Sequence, residues 1–266
     1  MTSRHRTAVV LLILLTLLLS ACDQDAPIPT PTDGVEVTIS QVIDGDTVEL
    51  DDGRRVRYLG INTPEQGRPF YDEATSANRR LVEGKSAWLV LDVQPTDQYG
   101  RTLAYVWVGD QFVNVELVRQ GYAAAYTDPP NVRYSEAIIA AEKKARETEV
   151  GLWAPSDAPL KLQEIHFDAP GPDGENPNGE WVEIVNEGSK VMNLVGFTLK
   201  DEATHIYTFP DVTLEPNHVL KLYSGQGTDG ADALFWGLVG DAGWNNNGDT
   251  AFLRDRRGRL VDMYRY

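Results

Sequence analysis

Cys22 is the only cysteine among the 266 residues. No intramolecular disulfide can form, so every folded unit must be held by an apolar core rather than a covalent staple. Histidine is nearly as restrictive. None occurs between Cys22 and His166. That stretch can hold neither a catalytic triad with a histidine base nor a zinc site built on His or Cys. Acid-base chemistry in it is left to carboxylates, lysines, tyrosines or metal-bound water.

The N-terminus reads as a targeting segment. Arg4 and Arg6 precede an apolar run from Ala8 to Leu19, interrupted at Thr16. The run is shorter than the roughly 20 residues that span a bilayer, and small residues end it, as in a signal peptide. Leu19-Ser20-Ala21-Cys22 resembles a bacterial lipobox, which implies lipidation of Cys22 and a signal peptide over residues 1–22. The expected location is extracytoplasmic, anchored to the bacterial cell membrane as a lipoprotein. Residues 23–34, rich in Pro, Asp and Thr, read as a flexible tether.

Roughly 230 residues remain, enough for two ordinary domains. Patterns change near Leu152–Ser156, so the expected domains are residues 35–156 and 157–266. In the first, short strands alternate with helices. Strands are expected at Thr47–Leu50, around Val56 and Tyr58, at Ala87–Val93 and at Thr102–Val108. Helices are expected at Phe70–Glu83, Asn114–Gln120 and Ser135–Glu149, the last with Ser135 as its cap. A five-stranded OB-fold barrel with three helices suits this order. The second half shows strands only, at Leu160–Phe167, Glu180–Asn186, Phe197–Lys200, His205–Phe209, Val219–Tyr223, Thr250–Arg254 and Leu260–Tyr264. Seven short strands between Gly, Asn, Asp and Pro clusters suggest an immunoglobulin-like β-sandwich, with Trp181, Phe197, Phe209 and Phe252 in its core. The fold class is therefore mainly β.

The net charge is −16. The acidic excess lies in both halves, 13 Lys and Arg against 19 Asp and Glu over Val35–Pro155 and 9 against 18 over Ser156–Tyr266. Bulk electrostatic capture of nucleic acid is excluded, since that needs many cations facing phosphates. A local cluster remains open. Asp44-Gly45-Asp46-Thr47, Arg57, Asn62-Thr63-Pro64-Glu65 and Asp97-Gln98-Tyr99-Gly100-Arg101 supply carboxylates, oxygens and two guanidinium groups. These groups suit phosphodiester cleavage. A hard cation takes oxygen ligands and polarises a phosphoryl oxygen. Paired guanidinium donors match phosphate geometry.

Ile43–Val48, Arg57 through Glu65, Asp97 through Tyr105 and Leu117–Gly121 together resemble the staphylococcal-type thermonuclease family, in its order and spacing, over about Val35–Trp153. The resemblance implies an OB barrel that hydrolyses DNA or RNA with Ca²⁺. It matches Asp46 to a calcium carboxylate and Thr63 to a carbonyl ligand. Asn62 falls where a second calcium aspartate stands. Glu65 matches the general base, Arg57 and Arg101 the phosphate-binding arginines, and Tyr126 a nucleotide-contacting tyrosine. Asn62 removes one charge from the metal site, and Gln98 replaces a lysine that helps hold nucleotide. The series Gly179–Asn186, Asn193–Asp201, Tyr207–Pro210, Leu214–Asn217 and Trp244–Leu253 is similar to the lamin-tail domain, over about Pro159–Tyr266. That family folds as an immunoglobulin-like sandwich, and its role here would be positioning or adhesion to a cell-surface or matrix partner. The combined expectation is a monomeric, membrane-anchored, calcium-dependent nuclease acting on DNA or RNA. A catalytically inactive nucleic-acid-binding module and an adhesive surface lipoprotein stay open as alternatives.

Overall fold

The computed structural model describes residues 28–171, 174–203, 205–240 and 243–266. The signal peptide, Cys22 with its lipobox and the first part of the tether lie outside the described residues.

The first domain is a closed barrel. Its strands are β1 (Val35–Val42), β2 (Thr47–Leu50), β3 (Arg55–Tyr58), the short β4 (Ile61–Asn62), β5 (Ser86–Val90), β6 (Thr102–Val108) and the short β7 (Gln111–Phe112). Strands pair in the order β3-β2-β1-β5-β6-β7, and β3 pairs again with β6 to close five of them on themselves. Closure leaves the barrel strands no free edge. All pairings are antiparallel except β3–β6, where Val56 lies beside Thr102 and Arg57 beside Leu103. A bulge between Ile39 and Gln41 interrupts the β1–β2 register, the device by which a strand is bent to close a barrel. Ile39, Val48, Val56, Ala104, Tyr105 and Trp107 are all buried in the core of this domain. Trp107 stacks on Phe112 with ring centroids 3.9 Å apart, so Tyr105 and Trp107 are packing residues, as their strand pattern suggests.

Three α-helices among the described residues cover the barrel: α1 (Tyr71–Val82), α2 (Val113–Arg119) and α3 (Ser135–Glu147). The short strand β8 (Ala124–Ala125) pairs with β4. In α1 the buried positions are Ala74, Thr75, Ala77, Asn78 and Val82, the spacing of one helical face. One expectation fails. Ser135 is the first helical residue of α3 and not its cap; Tyr134 takes that place without a side-chain cap bond. The Ser135 hydroxyl instead donates back to the Val132 carbonyl at 2.9 Å.

The described residues of the second domain form two packed four-stranded sheets. One has the order β16-β15-β10-β9, from β9 (Leu160–His166), β10 (Trp181–Asn186), β15 (Val219–Tyr223) and β16 (Ala233–Phe235). The other has the order β13-β12-β17-β18, from β12 (Thr198–Lys200), β13 (Ile206–Thr208), β17 (Thr250–Arg254) and β18 (Leu260–Arg265). Two-residue strands β11 (Met192–Asn193) and β14 (Thr213–Leu214) pair at one end. Alternation is clear in β10, where Val182, Ile184 and Asn186 are buried and the residues between them are not. Phe197 and Phe209 belong to this core. Trp181 does not. It faces outward, half-buried, stacked at 5.3 Å on His166 with the Lys221 ammonium 3.4 Å from its ring centre. Phe252 is buried, but in a separate cluster with Ala145, Leu152 and Trp153.

That third cluster joins the domains. Trp153 meets Phe252 edge to face at 5.8 Å, and the Arg146 guanidinium lies 4.2 Å above the Trp153 ring. Arg254 donates to the Leu152 carbonyl, the Ser156 hydroxyl to Asp255 at 2.8 Å, and Arg68 to the Thr208 hydroxyl at 2.7 Å. The segment Leu152–Ser156 is thus a packed joint as well as a boundary.

Candidate active site

The β1–β2 turn places the central carboxylate. The Asp44 side chain accepts from the Asp46 amide at 3.0 Å, a local turn that short acidic side chains favour. Gly45 is required by closeness: a Cβ there would stand 2.7 Å from the Thr63 side chain. Sequence reading gives Gly45 only a turn role; the fold shows that it lets the turn lie flat on the Thr63 loop.

Asp46 is 5% exposed. One carboxylate oxygen accepts from the Thr63 amide at 2.8 Å and the Thr63 hydroxyl at 2.9 Å. The other lies 3.1 Å from Arg57 Nε. Burial pushes the Asp46 carboxyl up to about 6, outweighing the pull of Arg57 and the Thr63 bonds, with Asp44 adding to the rise. A buried ionised group is costly unless it is paired and hydrogen-bonded, and here each oxygen has its partner.

Arg57 does more than pair. Its Nη1 donates to the Tyr58 carbonyl at 2.6 Å and the Ile61 carbonyl at 2.9 Å, and its Nη2 to Asn62 Oδ1 at 3.0 Å. Three of the five guanidinium N–H groups are hydrogen-bonded, and Nε faces Asp46 as an ion pair. Arg57 is therefore a strut that ties β3, the β3–β4 turn and Asn62 to Asp46, with one N–H left for a ligand.

Arg101 is arranged differently. Its Nε donates to Asp97 at 2.7 Å, and Asp97 also accepts from the Tyr99 and Arg101 amides. Burial would raise the Asp97 carboxyl, but the Arg101 hydrogen bond and the two amides hold it below the usual carboxylate range. No described residue accepts from either Nη of Arg101, which stay available. Arg101 immediately precedes Thr102, the residue paired with Val56, and so sits one position from the strand pair carrying Arg57.

Glu65 follows on the loop after Thr63 and Pro64. It is exposed, and its carboxylate has no hydrogen bond or ion pair among the described residues. The Arg68 amide donates to the Glu65 carbonyl at 2.9 Å, turning the loop. Tyr126 is half-buried, and its amide donates to the Gly60 carbonyl at 2.8 Å. Tyr126, Asn62, Thr63 and Glu65 line one cavity. The structure brings Asp46, Arg57, Asn62 and Thr63 into one bonded network, with Glu65 and Tyr126 on the cavity that Asn62 and Thr63 line and Arg101 just before the strand that pairs with the Arg57 strand.

Two positioning residues have no motif signal. Asn78 of α1 is fully buried. Its amide donates to the Asp44 carbonyl at 3.0 Å and its carbonyl accepts from the Tyr58 hydroxyl at 3.0 Å, fixing the turn that carries Asp46. Asn114 of α2, also fully buried, accepts from the Val106 amide and donates to the Leu59 carbonyl. The available signal was an amide on the apolar face of each helix.

The oxygens that this network could offer a cation are the Asp46 carboxylate, the Asn62 amide oxygen and the backbone carbonyl of Thr63, whose amide and hydroxyl bond Asp46. Among the described residues, no three His, Cys, Asp or Glu side chains are gathered as a metal site. An all-oxygen set fits a hard cation, with one charge where higher affinity would use more.

A closed five-stranded barrel with helices around it is an OB-fold, and here its rim ties a carboxylate, an amide oxygen and a guanidinium group into one loop cluster. The family model described as Staphylococcal nuclease homologue matches residues 55–155, and the chain belongs to the thermonuclease family. The chain is 38% identical to a thermonuclease of Staphylococcus intermedius over 133 residues, 47% of this chain and 79% of that protein. It is 37% identical to the thermonuclease of Staphylococcus hyicus over 125 residues, 44% of this chain and 74% of that protein. It is 34% identical to the endonuclease YncB of Bacillus subtilis (strain 168) over 133 residues, 46% of this chain and 63% of that protein. Residues 154–266 match the Lamin Tail Domain.

Proposed function

We propose that this chain is a calcium-dependent nuclease that hydrolyses phosphodiester bonds in DNA or RNA. The observation that carries the reading is the single network of Asp46, Arg57, Asn62 and Thr63, with the unpartnered Glu65 carboxylate on the same loop. The similar proteins named as thermonucleases and endonuclease support it.

Asp46, Asn62 and the Thr63 carbonyl would hold the cation. When bound, a hard divalent cation supplies Lewis-acid polarisation of a phosphate oxygen. Glu65 accepts the proton of the attacking water, a role open to an exposed carboxylate with no competing partner. The free Nη groups of Arg101 and the remaining N–H of Arg57 donate to phosphate oxygens as negative charge grows on them. Arg57 also holds Asn62 and Asp46 in place, so its positioning work precedes its contact with substrate. The strand is bound locally, since a chain with a net charge of −16 repels the rest of a polyanion.

The test is hydrolysis of single-stranded DNA by a soluble chain beginning at Asp23, in Ca²⁺, Mg²⁺ or Mn²⁺ and in EDTA. Cleavage with Ca²⁺ that stops in EDTA is expected. The amide at 62 should widen metal tolerance relative to a two-carboxylate site. Absence of cleavage by the folded chain with all three ions would leave a nucleic-acid-binding module as the better reading.

Location is part of the same proposal. Cys22 would carry the lipid, holding the enzyme outside the cytoplasm on the membrane. Labelled fatty acid should enter the wild-type protein and not Cys22→Ser, and the variant should leave the membrane fraction. Equal labelling of the two would rule the anchor out.

A further inference from the structure

A cavity of about 140 Å³ opens between the two domains, beside the catalytic loop. One wall is barrel, with Thr63, Pro64, Glu65 and Tyr126; the other is sandwich, with Thr198, Lys200 and Ile206. Trp153 and Phe252 of the joining cluster complete the lining. The second domain therefore contributes a side of the cleft in which Glu65 stands, which neither sequence motif nor family match assigns to it.

Size and chemistry narrow the occupant. A cavity near 150 Å³ lined by apolar side chains admits a benzene ring, so this one has room for one planar heterocycle. Pro64, Leu152, Trp153, Ile206 and Phe252 give it apolar surface, and charged side chains of both signs share the lining. Lys200 Nζ is anchored to the Asp201 and Ala203 carbonyls at 3.1 and 2.6 Å, and Arg68 bridges from the catalytic loop to Thr208. Arg146 and Trp153 each bury a ring or guanidine N–H with no partner among the described residues, and both residues line the cavity. An aromatic heterocycle that carries hydrogen-bonding edges matches these features; a phosphate alone would leave the apolar walls unused.

We infer that the interdomain cavity is a nucleobase subsite, in which the sandwich domain and Tyr126 clasp one unpaired base next to the phosphate being cleaved. The sandwich is then a substrate-selecting wall, and cleavage favours strands whose bases can swing free. This rests on the nuclease reading above.

The experiment uses the full chain from Asp23, with Glu65→Gln to prevent turnover, and labelled single-stranded oligonucleotides carrying an abasic sugar at each position in turn. Fluorescence anisotropy reads affinity. One abasic position should weaken binding roughly 5- to 150-fold, the range expected for losing one stacked base. Ile206→Trp, which fills the cavity from the sandwich side, should weaken the intact strand similarly and abolish the abasic penalty, because the two changes remove the same contact. Thr198→Trp is the parallel variant should Ile206→Trp melt early. With Glu65 restored, Ile206→Trp should raise KM for single strands at least tenfold and leave kcat unchanged. If both filled variants fold, cleave as the wild type does and keep the abasic penalty, the subsite is overturned and the nuclease reading stands. If the wild type neither binds nor cleaves any strand, the nuclease reading fails and the subsite falls with it.

Discussion

Glu65→Gln should lower kcat by about 10²- to 10⁴-fold, the span a positioned general base contributes, and should leave the fold untouched. The side chain is exposed and has no partner among the described residues, so its replacement by an isosteric amide belongs with surface changes worth within about 0.5 kcal/mol. What is lost is basicity alone. The loop keeps its course, because the Arg68 amide bonds the Glu65 backbone and not the side chain. KM for single-stranded DNA should change little, since the proton transfer is made only in the transition state. Steady-state kinetics at saturating Ca²⁺, with a thermal melt of both proteins, checks this. A fall in kcat under tenfold, with the melt unchanged, would remove Glu65 from the role of base.

The bonded network around Asp46 was legible in the sequence because a strand-turn-strand motif is a local object. Asp46, Arg57, Asn62 and Thr63 lie within 18 residues of one another, and the strands at Thr47–Leu50 and Thr102–Val108 fall where periodicity puts them. Helix ends moved by one or two residues, as ends fray. What escaped was set by distance along the chain. Asn78 and Asn114 look like polar substitutions in amphipathic helices until the loops they hold are placed beside them. The short strand at Ala233–Phe235 has three residues and no alternation to reveal it; it exists because β15 offers a parallel edge. The cavity wall is more remote still, since Ile206 and Phe252 meet a loop about 140 to 190 residues earlier through the packing of one domain on the other. Phe252 reads as a core residue because burial leaves the same apolar mark on a sequence whether the buried face meets its own domain or a neighbour.

Arg57→Ala should cost stability as well as activity, and the two losses separate by a double substitution. Arg57 and Asp46 form a nearly buried pair, with side chains 16% and 7% exposed. Removing one partner of such a pair leaves an uncompensated buried charge, at roughly 3–5 kcal/mol. The Tyr58 and Ile61 carbonyls and the Asn62 amide lose their donor in the same step. Part of the charge cost can be escaped. The Asp46 carboxyl is already pushed up to about 6 by burial and is pulled down by Arg57; without Arg57 it protonates more readily, and a cation held there as proposed would lose the Asp46 charge. Activity should therefore fall by at least 10²-fold, from lost phosphate stabilisation and a weakened cation site. Urea denaturation of four proteins apportions the loss. Asp46→Asn alone should be destabilising because it leaves the Arg57 guanidinium without its carboxylate, Arg57→Ala alone more so because three oxygen acceptors lose their donor as well, and the double variant should be more stable than Arg57→Ala, because no buried carboxylate remains to be left unpaired. Lysine at 57 should recover part of the stability but little of the rate, since one ammonium cannot reach four acceptors lying in different directions. If the double variant is instead less stable than Arg57→Ala, Arg57 acts through its carbonyl bonds and not through the buried pair.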